Sequence, residues 1–229
     1  GLGDVYKRQR MIMVNSPCNP TGAVYTREEI EEIVSIAIEH DLWIISDEIY
    51  SRLIWNGGEH VSPATIEGGK ERTIVISGWS KTWAMTGMRV GFLAGPEQAV
   101  RAAVKCQANS ASHIPTFMME AARVALDCDD HVERFSDAYR HRRNLIVQGL
   151  EDIPGLRIVN PEGAFYLFID VTGTGMSDVQ FADGALKAGV QLIPASLITG
   201  GEGFIRVSYA ASEEDIKEGI NRLRSWLLE

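Results

Sequence analysis

Lys81 is the first candidate for chemistry in this chain. It follows the short apolar segment 73–76 (Thr-Ile-Val-Ile) and lies within residues 77–82, which read Ser-Gly-Trp-Ser-Lys-Thr, with Arg89 eight residues later. Burial and cationic neighbours in general lower the pKa of an ammonium group, and a neutral amine can attack a carbonyl carbon to form a Schiff base. Lys81 is therefore a candidate for covalent chemistry, although a lysine beside a serine is more often simply solvated.

Two upstream segments place further polar groups just after apolar strands. Residues 15–22 read Asn-Ser-Pro-Cys-Asn-Pro-Thr-Gly, and residues 46–50 read Ser-Asp-Glu-Ile-Tyr. In open α/β sheets, ligands bind at the edge where the strands have their carboxyl ends. Three strands thus deliver five groups to this edge: the Asn19 amide, the Asp47 carboxylate, the Tyr50 phenol, the Lys81 amine and the Arg89 guanidinium. Together these groups suit a charged, planar, phosphorylated aldehyde.

These ordered motifs resemble the class I/II aminotransferases, the aspartate-aminotransferase-like family that uses pyridoxal phosphate. The resemblance runs from about residue 11 to the C-terminus. It rests on five motifs: the Asn-Pro-Thr-Gly turn at 19–22, the segment 46–50, Ser80-Lys81 with Arg89, Gly-Ala-Phe-Tyr at 163–166 and Phe-Ile-Arg-Val-Ser at 204–208. Residues 85–91 (Met-Thr-Gly-Met-Arg-Val-Gly) are similar to the branch that includes bacterial aspartate aminotransferases with broad substrate ranges.

The resemblance implies an α/β fold, pyridoxal-phosphate transferase fold type I. The chain would supply the C-terminal part of the large mixed-sheet domain and a smaller α+β C-terminal domain. It also implies pyridoxal 5′-phosphate as cofactor, amino-acid and 2-oxo-acid substrates, and a homodimer in the full-length parent.

The resemblance further implies a role for each matching residue. Lys81 would form the Schiff base and then move a proton between the substrate α-carbon and the cofactor. Asp47 would pair with the pyridine nitrogen and keep it protonated, so that the ring can accept electron density. Tyr50 and Asn19 would hydrogen-bond the cofactor's phenolic oxygen.

The remaining roles are those of anion binding. Arg89 would contact the cofactor phosphate through its planar guanidinium, and Arg206 would bind the substrate α-carboxylate, with Asn19 also at the substrate. The family often has a phosphate-binding serine three residues before the lysine, where this chain has Gly78. Ser80 or Ser77 would then substitute, or groups elsewhere would bind the phosphate. Tyr166, in the Gly-Ala-Phe-Tyr motif, is a further candidate for the site.

Each residue also has a structural interpretation. Asp47 could cap the turn after its strand, and Asn19 before Pro20 is a common start of a turn. Tyr50 could be a core aromatic side chain, and Arg206 could belong to an ordinary ion pair. The joint occurrence of these residues in order favours the functional interpretation.

Composition excludes several other classes of function. The 229 residues are 45% hydrophobic and 23% charged, and a net charge of −9 argues against a nucleic-acid partner. The irregularly spaced Cys18, Cys106 and Cys128 form neither a disulfide framework nor a metal-ligand pattern, which predicts a cytoplasmic protein without a metal. No apolar run approaches about 18 residues, so no membrane span is predicted.

The hydrophobic pattern predicts alternating strands and helices. Thr26 followed by Glu29 predicts a capping box that opens a helix to about His40, between strands at 11–14 and 42–46. This is one βαβ unit. Later segments are predicted as strands at 73–77, 90–94, 157–159, 164–169, 191–193 and 204–207, and as helices within 96–150 with breaks near 114–115 and 127–130, at 178–188 and at 213–227.

We expect three regions along the chain. Residues 1–10 fit no part of the family pattern and are predicted to be a non-native leader, residues 11–140 form a partial large cofactor-binding domain, and residues 141–229 form the small domain. The first half of the family pattern is missing, which predicts an N-terminally truncated chain. Two alternatives to an aminotransferase stay open: a pyridoxal-phosphate lyase or synthase of the same fold, and a noncatalytic fragment.

Overall fold

The computed structural model describes residues 8–228, and their contacts divide into two compact units. Unit 1 comprises residues 8–17 and 24–133, and unit 2 comprises residues 18–23 and 134–228. Most of the predicted leader lies outside the described residues. The domain boundary predicted at residue 140 stays a prediction.

The elements follow the predicted order, and the bounds of the individually predicted strands and helices differ from the prediction by at most two residues. The strands are β1 (Met11–Asn15), β2 (Trp43–Asp47), β3 (Thr73–Gly78), β4 (Gly91–Ala94), β5 (Arg157–Ile158), β6 (Tyr166–Asp170), β7 (Ile193–Pro194) and β8 (Phe204–Ser208). The helices are α1 (Arg27–Glu39), α2 (Glu97–Ser110), α3 (Thr116–Ala125), α4 (Asp129–Leu150), α5 (Asp178–Lys187) and α6 (Glu213–Leu228).

Unit 1 contains a mixed four-stranded sheet in the order β1-β2-β3-β4. The first three strands are parallel, with Asn15 opposite Asp47 and Asp47 opposite Ile76, whereas β4 returns antiparallel to β3. Parallel neighbours require a crossover connection, and α1 provides the one between β1 and β2. The carboxyl ends of three strands consequently lie at the same edge of this sheet.

Helix α1 covers one face of the sheet and is fixed at its start by the predicted capping box. Thr26 Oγ1 accepts a hydrogen bond from the Glu29 amide at 3.2 Å, and Glu29 Oε2 accepts one from the Thr26 amide at 2.8 Å. The apolar stripe of α1 packs against alternate strand residues in a core formed by Val14, Ile30, Val34, Ala37, Leu42 and Ile44. Side chains alternate between the faces of a strand, so Asp47 projects from the face opposite to this core.

Unit 2 contains an antiparallel sheet in the order β5-β6-β8-β7. Strand β8 is central, with Arg206 between Phe168 of β6 and Ile193 of β7. Helix α5 begins with a second capping box, in which Ser177 and Gln180 exchange hydrogen bonds. An antiparallel sheet with helices is the α+β arrangement predicted for this part of the chain.

Within residues 8–228, no helix is both long and apolar enough to span a membrane. Over the same residues, no group of three or more His, Cys, Asp or Glu side chains is arranged to hold a metal ion. Cys18, Cys106 and Cys128 are free thiols.

Candidate active site

Strand β2 delivers Asp47 and Tyr50 in unit 1. Asp47 is the last residue of the strand, and its Oδ1 accepts a hydrogen bond from the Ile49 amide at 3.2 Å. This bond is the turn-capping contact expected from the structural interpretation of Asp47, and it leaves the second carboxylate oxygen for another partner. Tyr50 is 3% exposed, so its ring is part of the core.

The loop between β3 and β4 delivers Lys81. The loop is closed by two backbone hydrogen bonds, from the Trp79 amide to the Val90 carbonyl and from the Met85 amide to the Trp79 carbonyl, both at 3.2 Å. Lys81 is half-buried, and its Nζ lies 5.9 Å from the centroid of the Tyr50 ring. The structure therefore brings the predicted amine and the predicted phenol together.

Arg89 lies at the end of the same loop in a left-handed conformation. Its φ is 55°, a region that non-glycine residues rarely occupy, and its Nη1 donates a hydrogen bond to the Thr86 carbonyl at 3.0 Å. Ala84, with φ of 54°, is a second such residue in this loop. Unusual backbone conformations of this kind persist where the surrounding structure holds them, and they cluster at ligand sites.

The structure explains why glycine replaces serine at position 78. A Cβ atom there would lie 2.7 Å from the Val90 carbonyl oxygen and 2.9 Å from the Gly91 Cα, so no side chain fits. The Ser77 hydroxyl already donates to the Glu48 carbonyl at 3.3 Å. The role of Ser80 as a substitute stays a prediction.

A buried polar cluster around Glu48 lies beneath this strand end, and sequence reasoning missed it. Glu48 Oε1 accepts hydrogen bonds from the Ser46 hydroxyl at 2.9 Å and the Ser62 hydroxyl at 2.5 Å. His60 Nε2 lies 3.0 Å from Glu48 Oε2, in close contact but not aligned as a linear hydrogen bond. The acidic residue inside the segment 46–50 was the available signal, because a carboxylate that follows a buried strand needs partners.

The electrostatics of this cluster favour an ionised carboxylate. Burial alone would raise the pKa of Glu48, but contact with His60, the Ser62 hydrogen bond, the His60 charge and the Ser46 hydrogen bond together hold that pKa below its ordinary value of 4.5. Glu48 therefore stays charged at neutral pH in spite of its burial.

Unit 2 brings Asn19 and Arg206 together, although they lie 187 residues apart in the sequence. Arg206 Nη1 donates a hydrogen bond to Asn19 Oδ1 at 3.1 Å, and the Arg206 guanidinium carbon lies 4.7 Å from the centroid of the Tyr166 ring. Arg206 Nε is buried and has no hydrogen-bond partner among the described residues. A buried guanidinium N–H with no acceptor is suited to an anionic ligand.

Three aromatic rings form a row between two arginine side chains. Each member of the row contacts the next, in the order Arg206, Tyr166, Phe165, Tyr139 and Arg142. The pKa of Tyr139 is raised, mainly by burial and against the opposing charge of Arg142. The row restricts the orientation of the Tyr166 ring on which the Arg206 guanidinium lies.

The Asn-Pro-Thr-Gly turn is fixed within unit 2 through Gly22. The Gly22 carbonyl accepts hydrogen bonds from the amides of Glu162 at 2.9 Å and Gly163 at 2.8 Å. Gly22 has φ of +72°, and a Cβ atom there would lie 2.3 Å from the Cβ of Pro161. This close approach requires glycine, and it places Asn19 beside the segment that leads to Tyr166.

The candidate residues therefore fall into two sets. Unit 1 carries Asp47, Tyr50, Ser80, Lys81 and Arg89, and unit 2 carries Asn19, Tyr166 and Arg206. The contact of Asn19 with Arg206 is observed, and the predicted pairing of Asn19 with Tyr50 stays a prediction.

Comparison with known proteins identifies the family. Residues 2–223 match the family model described as aminotransferase class I and II. The chain belongs to this family. The resemblance found in the motifs is thereby confirmed, and the match covers almost the whole chain.

Two relatives of this aminotransferase-family chain illustrate the similarity. Aromatic-amino-acid aminotransferase 2 of Thermococcus litoralis is 41% identical over 98% of this chain and 59% of that protein. Aspartate/prephenate aminotransferase of Thermus thermophilus is 37% identical over 94% of this chain and 56% of that protein. The chain thus spans somewhat under three fifths of the length of these two relatives.

Solved structures share the fold. The aromatic aminotransferase from Pyrococcus horikoshii OT3 matches with a TM-score of 0.93 at 39% identity, covering 100% of this chain and 63% of that chain. The Thermus thermophilus aspartate aminotransferase with maleate matches with a TM-score of 0.90 at 36% identity, covering 96% and 58% respectively. The predicted fold class, pyridoxal-phosphate transferase fold type I, is confirmed.

Gly22→Ala should destabilise unit 2. The change combines a strained backbone conformation with an overlap against Pro161, so we expect a loss of roughly 2–4 kcal/mol in the free energy of unfolding. Gly200→Ala is the matched control, because Gly200 has the same φ of +72° with nothing within 4 Å of the added Cβ. Urea unfolding followed by circular dichroism measures both variants, and equal losses would contradict the proposed overlap.

Glu48 should make unit 1 sensitive to acid. A carboxylate with a lowered pKa in the folded state stabilises the fold above its unfolded-state pKa, and this stabilisation is lost as the pH falls through the folded-state pKa. Glu48→Gln should therefore reduce the fall in urea midpoint between about pH 5 and about pH 3. Glu32→Gln, on the exposed side of α1, is the control and should leave that fall unchanged.

Proposed function

We propose that the protein represented by this chain is a pyridoxal-phosphate-dependent aminotransferase, which moves an amino group between an L-amino acid and a 2-oxo acid. The observation that carries the proposal is the position of Lys81 Nζ, 5.9 Å from the Tyr50 ring and in the same unit as Asp47. Family membership supports the reaction class.

The donor set of unit 1 fits pyridoxal 5′-phosphate. The cofactor has an aldehyde, a phenolic oxygen, a ring nitrogen and a phosphate, and unit 1 supplies one complementary group for each. Lys81 would hold the aldehyde carbon covalently, Tyr50 would donate to the phenolic oxygen, and Asp47 would accept from the protonated ring nitrogen. Arg89 and Ser80 are the proposed phosphate ligands, and Asn19 is proposed as the second donor to the phenolic oxygen.

When bound, the cofactor supplies a protonated ring that accepts electron density from the substrate α-carbon. Asp47 has the task of keeping that ring nitrogen protonated, because a carboxylate favours the cationic form of its partner. The Lys81 amine would act as the general base that takes a proton from the substrate α-carbon, and as the acid that gives this proton back on the cofactor side.

Arg206 is the proposed ligand of the substrate α-carboxylate. Its Nε has no acceptor among the described residues, and the Tyr166 ring and Asn19 hold its guanidinium in place. A fixed guanidinium makes bidentate contacts with a carboxylate, which orients the α-carbon. The names of the relatives support an L-amino acid with an aromatic or acidic side chain as donor.

Family membership supports a proposal for the partners of the protein. We propose amino-acid and 2-oxo-acid substrates and a homodimer for the full-length enzyme, as is typical of aminotransferases. A cytoplasmic location agrees with the three free cysteines.

Borohydride reduction in the presence of pyridoxal phosphate should label Lys81. Peptide mapping should find the reduced cofactor on Lys81, and Lys81→Ala should lower total incorporation by at least about tenfold, because the amine that would form the Schiff base is then absent. Lys105→Ala, at an exposed position of α2, is the control and should incorporate as the unsubstituted chain does. Label spread over surface lysines would contradict the proposed role of Lys81 and indicate a noncatalytic chain.

Arg206→Lys should weaken substrate binding while the positive charge is kept. The loss of one bidentate contact predicts a roughly tenfold higher Kd for L-phenylalanine and for L-aspartate, measured by calorimetry with pyridoxal phosphate present. Arg157→Lys is the control, because Arg157 pairs with Asp170 at the sheet edge. Equal affinities in both variants would remove Arg206 from the substrate site.

Turnover without a 2-oxo acid acceptor would indicate elimination rather than transfer.

A further inference from the structure

Glu48 is a buried charge that the proposed reaction does not use. It is 8% exposed, and it is the buried acidic residue among the described residues of unit 1. Moving a carboxylate out of water is strongly unfavourable unless partners compensate for the lost hydration. The two serine hydroxyls and His60 supply that compensation. A neutral side chain would fill the same position without any such cluster.

The side chain of Glu48 is directed away from the proposed cofactor residue beside it. Glu48 directly follows β2 and accepts a hydrogen bond from Ser46, whose side chain lies on the face of β2 that packs toward α1, whereas Asp47 projects from the opposite face. An influence of Glu48 on the candidate site would therefore pass through the backbone.

The backbone of Glu48 connects the ends of two strands. Its amide donates to the Ile76 carbonyl at 2.9 Å, and its carbonyl accepts from the Ser51 amide at 3.0 Å and from the Ser77 hydroxyl at 3.3 Å. The first and last of these bonds reach the end of β3, directly before the loop that carries Lys81. The second closes the turn that contains Tyr50.

His60 and Ser62 fix the other side of the same turn. They lie 12 and 14 residues after Glu48 in a segment that returns to the sheet, and Ser62 also caps the short turn at Pro63–Thr65 through the Ala64 amide at 3.3 Å. The Glu48 carboxylate is thus the point where this returning segment is attached to the strand end.

We propose that Glu48 is a positioning residue for the proposed reaction: its buried carboxylate, held by His60, Ser46 and Ser62, fixes the backbone between Asp47 and Tyr50. The inference rests on the proposed function for the roles of Asp47, Tyr50 and Lys81, and it deepens that proposal. Displacements of about 1 Å at reacting groups lower rates by about two orders of magnitude, so a device that fixes this backbone matters for the chemistry.

Amide hydrogen exchange on the chain without cofactor tests this role directly. Three amides report on the turn, those of Ile49, Ser51 and Leu53, and two report on the core of unit 1, those of Ile30 and Ile44. In Glu48→Gln, we expect exchange of the turn amides to accelerate at least about tenfold more than exchange of the core amides. Glu32→Gln is the matched control and should change neither group.

Equal acceleration of the turn and core amides would overturn the proposal, because it would show that Glu48 contributes only to the global stability of the unit. Unchanged exchange at the turn would overturn it as well. If Glu48→Gln does not fold, Ser62→Ala decides by the same comparison, since it removes a single neutral donor and keeps the contact of Glu48 with His60.

A second readout connects the turn to the cofactor. The Kd for pyridoxal phosphate, followed by absorbance, should rise by about tenfold in Glu48→Gln and stay unchanged in Glu32→Gln. An unchanged Kd in Glu48→Gln would overturn the positioning role even if exchange at the turn increased. If the unsubstituted chain takes up no pyridoxal phosphate on Lys81, the proposed function fails, and hydrogen exchange alone decides whether Glu48 fixes the turn.

Discussion

Parallel pairing of β1, β2 and β3 is the constraint on which the candidate site of unit 1 depends. Because the strands run in the same direction, Asn15, Asp47 and the end of β3 lie side by side at one edge. Backbone groups beyond this edge have no further strand to pair with, so they bond to turns and side chains. Asp47 and Tyr50 lie at and just after the end of β2, and Lys81 lies just after the end of β3.

Unit 2 also holds a candidate binding residue in a fixed position, but it does so with an antiparallel sheet. Arg206 lies in the middle of the central antiparallel strand, where both neighbouring strands fix its backbone. Its guanidinium is then oriented by an aromatic ring and by the Asn19 amide from a distant part of the sequence. A rigid strand position and an oriented head group limit the freedom that binding of an anion would otherwise remove.

Local signals in the sequence predicted most of the elements and the order of the site residues. The capping box of Thr26 and Glu29 and the helix breaks near 114–115 and 127–130 appear in the structure because short-range interactions determine them. The cluster around Glu48 and the close approach at Gly78 could not be predicted in this way, since their partners lie 14 and 12 residues away and depend on how the chain returns. The roles assigned to individual residues came from resemblance to a family.

The Asn-Pro-Thr-Gly turn has a consequence for how this protein can be divided. Residues 18–23 belong to unit 2 by their contacts, yet unit 1 residues precede and follow them in the chain. A polypeptide that began at Arg134 would contain every strand of the second sheet but would lack the partner of Arg206 and the carbonyl of Gly22. Unit 2 therefore cannot be exchanged as one continuous C-terminal segment. A chimera of two relatives joined at residue 134 would also need residues 18–23 from the parent that supplies the C-terminal segment, although these residues lie more than a hundred positions upstream.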